Sequence, residues 1–231
     1  MDWDRTWFEG TLTSREMLAW RGVEAQHVVS TMRLVDTAAE QDLLEQLLEM
    51  SKPTLPPSAT GHYLLSTPFR YSPLHASRFR PANTKGQWYG AESVFAACAE
   101  VAYWRHRFIL DSAGLLSKDL LTEHTFYKGA IDGLAIDLTT PPWSLAREMW
   151  THGSDYAATQ ALASAAQTQG AQWLAYESVR APGARCAVVF DPTSLSEPPG
   201  GLDRSMQTWH CMANRDSVRF TRRRETYQWD F

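Results

Sequence analysis

The sequence predicts an α+β fold, and three observations carry that reading. Short apolar runs of strand length are interspersed with helical patterns but show no regular βαβ rhythm. Pro and Gly clusters, at Lys52-Pro53-Thr54-Leu55-Pro56-Pro57, Pro141-Pro142 and Asp191 to Gly201, separate those runs. The 231 residues, 44% apolar and 21% charged, have ordinary globular composition and enough length to bury a sizeable core.

Taken in order, residues 1 to 35 hold Trp3, Trp7, Phe8, Trp20, Val23, Val28 and Val29 among charges without a clean period. Their aromatic density argues against disorder. Asp36 is placed to cap a helix to about Met50, with Ala39, Leu43, Leu44, Leu47 and Leu48 on one stripe. The Pro-rich segment after it marks a boundary: residues 1–60 read as a helical extension packed on a core of residues 61–231. His62 to Leu65 and Phe69-Arg70-Tyr71 read as strand material interrupted by Thr67-Pro68. An aromatic strand at Trp88-Tyr89 leads into a helix offering Val94, Ala97, Cys98, Val101 and Phe108 at near-helical spacing. Asp111 to Lys128 is polar and read as partly helical, and Gly129 to Leu138 as a strand. Asp155 is placed to cap an Ala-rich helix that Gly170 stops. Trp173 to Tyr176 and Cys186 to Phe190 read as strands, the second buried. Met206 to Met212 and Val218 to Thr221 read as a closing hairpin or two edge strands.

Composition narrows the function classes. A net charge of −4 and a pI near 6.0 give no support to a nucleic-acid surface, and Arg222-Arg223-Arg224, the one dense basic run, reads as a solvated strand end. Cys98, Cys186 and Cys211 are odd in number, widely spaced and set in apolar stretches, as expected of buried thiols in a reducing compartment. The N-terminus lacks a basic region followed by an apolar run, and no span approaches about 18 apolar residues, so a cytoplasmic protein without a membrane span is expected. The histidines have no metal-ligand spacing with each other or with the cysteines, so no metal is assigned. Neither a Gly-x-Gly-x-x-Gly nor a Walker sequence is present.

The chemistry is expected in one stretch, from Ser77-Arg78-Phe79-Arg80 through Gln87-Trp88-Tyr89-Gly90-Ala91-Glu92-Ser93 to Ala99-Glu100-Val101-Ala102-Tyr103-Trp104-Arg105-His106. There an Arg-rich loop, a strand and a helix converge. With Val94 as zero on a helical wheel, Glu100 falls at about 240°, at the edge of the apolar side.

The order Arg78, Tyr89, Glu100 and then, far downstream, Glu177-Ser178-Val179-Arg180-Ala181-Pro182 resembles the RES domain family. In that family Gly-Arg-Trp-Asn precedes a strand ending in Tyr, a helix bearing Glu-Val-Leu and a later Pro-Ser-x-x-x-Pro element. The likeness spans roughly residues 63 to 192, which makes residues 61–231 the RES domain. It implies a fold like that of ADP-ribosyltransferases, in which two small sheets enclose a dinucleotide cleft. It further implies an NAD-degrading toxin of a toxin–antitoxin pair, cleaving the nicotinamide–ribose bond with inorganic phosphate as acceptor, and an Xre-type helix-turn-helix antitoxin as partner. NAD is then a substrate rather than a cofactor, no nucleic acid is bound directly, and a homodimer is left open. With water as acceptor the enzyme would be a glycohydrolase, and with a protein side chain an ADP-ribosyltransferase.

Those expectations assign roles. Arg78 suits phosphate oxygens because its planar guanidinium forks onto them while staying charged. Arg70, in a segment that resembles the aromatic-Arg strand with which the family often begins, is the second cation. Arg80 stands where the family commonly has Asn, and Ser77 where it has Gly, so Arg80 shares or exchanges the role of Arg78. Tyr89 can stack on a ring and still make a hydrogen bond. Glu100 can bind ribose hydroxyls and stabilise positive charge at the anomeric carbon. Ser178 is expected to position a ribose or phosphate oxygen, since no Ser-His-Asp motif supports it as a nucleophile. The rival of another class is a non-catalytic binding module whose N-terminal extension docks a partner.

Overall fold

The strand Leu120–Asp137 (β3) is the hub of the molecule. The computed structural model describes residues 5–25, 31 and 34–231. Along one edge β3 pairs antiparallel with Thr13–Glu24 (β1) over twelve positions, from Thr13↔Ala135 to Glu24↔His124. Along the other it meets Gln207–Ala213 (β7) and the short Leu195–Ser196 (β6) antiparallel, then Trp173–Glu177 (β4) in parallel. Trp88–Ala91 (β2) and Arg185–Val189 (β5) complete the inner strands. Ser217–Arg222 (β8) and Glu225–Asp230 (β9) extend the sheet beyond β7.

The α+β expectation holds, with one difference in layout. The strands form one mixed, nine-stranded, hydrogen-bonded sheet rather than two small ones. Its pairings also close on themselves: β1 with β3, β3 with β4, β4 with β5, β5 with β2, and β2 back to β1. The last link is a single pair, Trp20↔Ala91, so β1 and β2 part company around it. Alternation gives each strand two faces. One face packs Ala19, Trp88, Tyr127, Ile131, Trp173 and Val189 together. The other packs Phe126, Leu174, Tyr176, Val188 and Phe220 beneath two helices.

Those helices are Val94–Leu110 (α3) and Ala157–Thr168 (α5). Ser93 caps α3 by accepting from the Ala96 amide at 3.2 Å. The first half of its buried side is small, Ala96, Ala97, Cys98, Ala99 and Ala102, which lets that part of the helix lie close to the sheet, and His106 and Ile109 follow. Phe108, expected in that stripe, is half exposed. Gly170 ends α5 with φ +88°, a conformation open to glycine at little cost. Asp155 accepts from the Ala157 amide, and Tyr156 occupies the cap position. The three cysteines are buried and free.

Several sequence expectations are corrected. The expected helical extension over 1–60 is helical at Ala38–Ser51 (α1) and in a short 3₁₀ turn at Arg5–Phe8, but β1 belongs to the sheet. Its period is obscure because only Ala19 is fully buried and an apolar residue, Leu18, is exposed beside it. The α1 cap is Thr37 rather than Asp36, in a capping box with Glu40. The helix is not packed through its leucines: Leu43, Leu47, Leu48 and Met50 are exposed, and Glu49 ties it to Arg70 at 2.7 Å. Residues 62–71 are not strand. His62 caps the short helix Tyr63–Ser66 (α2), and Pro68 opens a 3₁₀ turn over Thr67–Phe69, because proline's fixed φ suits a first turn. The polar stretch after α3 keeps one 3₁₀ turn, Ala113–Leu115, and is β3 from Leu120 onward. A further short helix, Arg147–Trp150 (α4), follows the Pro141-Pro142 break, and β9 was not foreseen. Val28 and Val29 lie outside the described residues.

Candidate functional site

Between β1, β2 and α3 lies a cavity of about 300 Å³, at the seam where the β1–β2 ladder shrinks to one pair. Trp20, Arg21 and Gly22 of β1, Tyr89 to Ala91 of β2, and Ala97, Glu100, Val101, Tyr103 and Trp104 of α3 line it, with Ser77, Arg78, Tyr156 and Tyr176. Arg78, Tyr89 and Glu100, expected together from sequence, are thus brought into one cavity.

The loop before β2 is folded tightly to present Arg78. Ser77 and Arg80 exchange backbone hydrogen bonds at 2.8 and 3.1 Å, and Phe79 between them is driven into the core edge-on to Tyr176 at 4.7 Å. Helix α5 holds the turn: Gln160 Nε2 donates to the Ser77 and Arg80 carbonyls, and Thr159 Oγ1 to that of Arg78. Arg78 is 9% exposed. Its Nη1 donates to the carbonyls of Trp150 (3.0 Å) and His152 (2.8 Å), and its Cζ lies 5.0 Å from the Tyr156 ring centroid. No carboxylate neutralises it among the described residues.

Tyr89 turns its ring to the cavity and its hydroxyl to the loop. The hydroxyl donates to Gln87 Oε1 at 3.0 Å, accepts from the Phe79 amide at 3.3 Å and lies 2.8 Å from Ser77 Oγ. Burial pushes its pKa up to about 12, so it stays a neutral phenol. The hydrogen-bonding tip expected to meet substrate is instead spent on shaping the Arg78 loop.

Glu100, from the middle of α3, receives a hydrogen bond from Ser178 Oγ on its Oε1 at 2.6 Å. Ser178 itself is 1% exposed, and its oxygen also accepts from the amides of Arg180 (3.1 Å) and Ala181 (2.9 Å). Ser178 is thus not among the residues that line the cavity, and its hydroxyl is engaged by Glu100 and two backbone amides. Sequence could not show that a hydroxyl 78 positions away would meet the carboxylate.

Arg70 and Arg80 are corrected outright. Arg70 pairs with Glu49 and donates Nε to the Pro53 carbonyl at 2.6 Å, because the 3₁₀ turn aims it at α1. Arg80 is buried and donates to the carbonyls of Pro73, His75, Pro81 and Thr84, closing the loop on itself. Neither lines the cavity.

The residues missed are Trp20, Arg21 and Tyr156, while Tyr103 and Trp104 lie inside the expected stretch without a role assigned to them. The α3 pair carried a usable signal, since positions three and four after Glu100 share its side of the helix. Arg180 closes the wall behind them, its Cζ 3.4 Å from the Tyr103 ring centroid and its Nη2 on the Gly153 carbonyl at 2.6 Å. Among the described residues no group of three or more His, Cys, Asp or Glu could hold a metal, and no helix is long and apolar enough to cross a membrane.

The family model described as "RES domain" matches residues 54–212. Among curated proteins nothing matches. Among solved structures the chain is similar to one from the M. tuberculosis MbcT–MbcA toxin–antitoxin complex, at 15% identity and a TM-score of 0.47, over 88% of this chain and 87% of that one.

Proposed function

Since the chain belongs to the RES domain family, we propose that it cleaves the nicotinamide–ribose bond of NAD, with inorganic phosphate as acceptor, and serves as the toxin of a toxin–antitoxin pair. The observation that carries this reading is Glu100, set in an aromatic-walled cavity with Arg78 and fixed in direction by the Ser178 hydroxyl.

In this reaction the C–N glycosidic bond breaks and its electron pair leaves with nicotinamide, which departs neutral. A phosphate oxygen then bonds the anomeric carbon, giving ADP-ribose phosphate. Between those events the ribose carries oxocarbenium character, and a preoriented carboxylate stabilises it without reorganising. Glu100 takes that role, holding ribose hydroxyls as it does so. Arg78 meets phosphate oxygens, and its carbonyl clamps keep the guanidinium preorganised. The rings of Tyr89, Tyr103, Trp104 and Tyr156 offer faces for the nicotinamide. The cavity is at the small end of ligand pockets, a size for the reacting half of the dinucleotide rather than all of it. An Xre-type antitoxin covering the cavity belongs to the same proposal.

The test is to incubate purified protein with NAD, with and without phosphate, and identify the products. ADP-ribose phosphate appearing only with phosphate is the expected result, and free ADP-ribose would make the protein a glycohydrolase. Glu100→Ala should lose turnover by about 10²-fold or more, and should relieve growth arrest on expression. A Glu100→Ala protein that consumes NAD as fast as the parent would overturn the assignment.

A further inference from the structure

We propose that Glu177 and Arg180, which bracket Ser178 in the turn from β4 to β5, are positioning residues that act on Arg78 through residues 147–153. One turn then aligns both charged groups that the reaction uses, Glu100 through Ser178 and Arg78 through this segment. The inference rests on the proposed reaction, in which those two charges must be held in one geometry.

Arg78 takes its direction from backbone carbonyls rather than from a carboxylate. The two that its Nη1 reaches, of Trp150 and His152, lie in the segment that opens with α4. Such carbonyls orient a guanidinium only as well as their own segment is fixed. The Trp150 indole anchors the middle of it, donating to the Trp143 carbonyl at 2.8 Å. Both ends are held by the Ser178 turn. At the first, Arg147 forks onto Glu177, Nε to Oε2 and Nη2 to Oε1, each at 2.6 Å. At the second, Arg180 Nη2 donates to the Gly153 carbonyl at 2.6 Å, while its Cζ rests 3.4 Å from the Tyr103 ring centroid. The turn is itself tied at these points: Glu177 Oε1 also accepts from the Gly183 amide at 3.0 Å, and the Arg180 amide donates to Ser178 Oγ at 3.1 Å.

The two grips are suited to steering rather than to holding the fold together. An exposed ion pair adds little stability, and the Arg147 side chain is 56% exposed, but a bidentate fork fixes angle as well as distance. The fork also holds the Glu177 carboxyl below its ordinary range, so the pair stays charged at neutral pH. Glu177 stands where the Pro-Ser-x-x-x-Pro element has its first proline, a residue with no side-chain acceptor to offer. Neither Glu177 nor Arg180 lines the cavity, so any effect on turnover passes through the groups they hold.

Steady-state kinetics of the full chain with NAD and phosphate test this in Glu177→Gln, Arg147→Gln and Arg180→Met, each made alone and combined with Arg78→Gln. In the parent background kcat/KM for NAD is expected to fall roughly tenfold. In the Arg78→Gln background the same changes should cost less than about twofold, because the group they steer is gone. The Nε–H resonance of Arg78 in isotope-labelled protein, assigned by its disappearance in Arg78→Lys, should shift in all three variants. Full losses that persist beside Arg78→Gln would overturn the proposal, and so would a lowered Tm with unchanged kinetics and an unmoved resonance, which leaves the turn a structural tie. Should Arg180→Met not fold, Glu177→Gln and Arg147→Gln decide by themselves; should Arg78→Gln leave no measurable turnover, the resonance decides. If the parent consumes no NAD the reaction itself is wrong, and the resonance still tells whether the turn directs Arg78: no shift in any variant ends the inference.

Discussion

Ser178 shows how much a single hydroxyl is asked to do. It donates to Glu100 Oε1 while accepting two backbone amides, at a position almost closed to solvent. Ser178→Ala removes one donor and leaves two buried N–H groups without their acceptor. That should cost about 1–3 kcal/mol of stability, measured by urea denaturation. Turnover should fall by roughly tenfold as Glu100 loses its orientation, with the KM for NAD changing less than kcat. Sequence placed Ser178 in the site, and the structure moved it one layer back. The same scale explains Arg70 and Arg80. Arginines close together in sequence look interchangeable, but each guanidinium goes to whichever acceptors its backbone direction reaches, and only Arg78 of the three reaches the cavity.

At the level of elements, β3 sets the geometry, and its buried residues carry a pH signature. His124 is nearly closed to solvent, edge-on to the Phe220 ring at 5.2 Å, with an unpartnered Nδ1. Burial, aided by the nearby Arg105 charge, lowers its pKa to about 4. Between pH 6.5 and 4 the unfolded chain therefore binds a proton there that the folded chain refuses, and stability falls as pH drops through that window. The loss at this residue is roughly 3 kcal/mol. Denaturant titrations at pH 7 and pH 4.5 should show a smaller difference for His124→Leu than for the parent. Helix α3 is the counterpart on the functional side: its Ser93 cap sets the register, its alanine face sets the depth, and together they bring Glu100 to the cavity.

The whole molecule is larger than the segment that carries the family pattern. Residues 54–212 omit β1, which pairs with β3 at twelve positions, and β8, whose Val218 and Phe220 are fully buried. A chain trimmed to 54–212 should therefore lose its cooperative thermal transition by circular dichroism, because an unpaired edge of β3 and an uncovered core face would be left to solvent. Residues 13–24 are thus part of the fold, and they bring Trp20 and Arg21 to the cavity. Sequence by itself determined the α+β class, the α3 helix with its edge-placed carboxylate, strands β2, β4 and β5, the stop at Gly170 and the grouping of Arg78, Tyr89 and Glu100. These rest on signals local to the chain: periodicity, capping residues, chain breakers and short motif spacing. Only the tertiary structure decided that β1 is a strand, that Ser178 serves Glu100, that Arg70 and Arg80 are spent on α1 and on their own loop, and that Arg21 faces the site. Each of those outcomes depends on where a backbone direction ends up or on which group it meets there, and neither leaves a periodic trace in sequence.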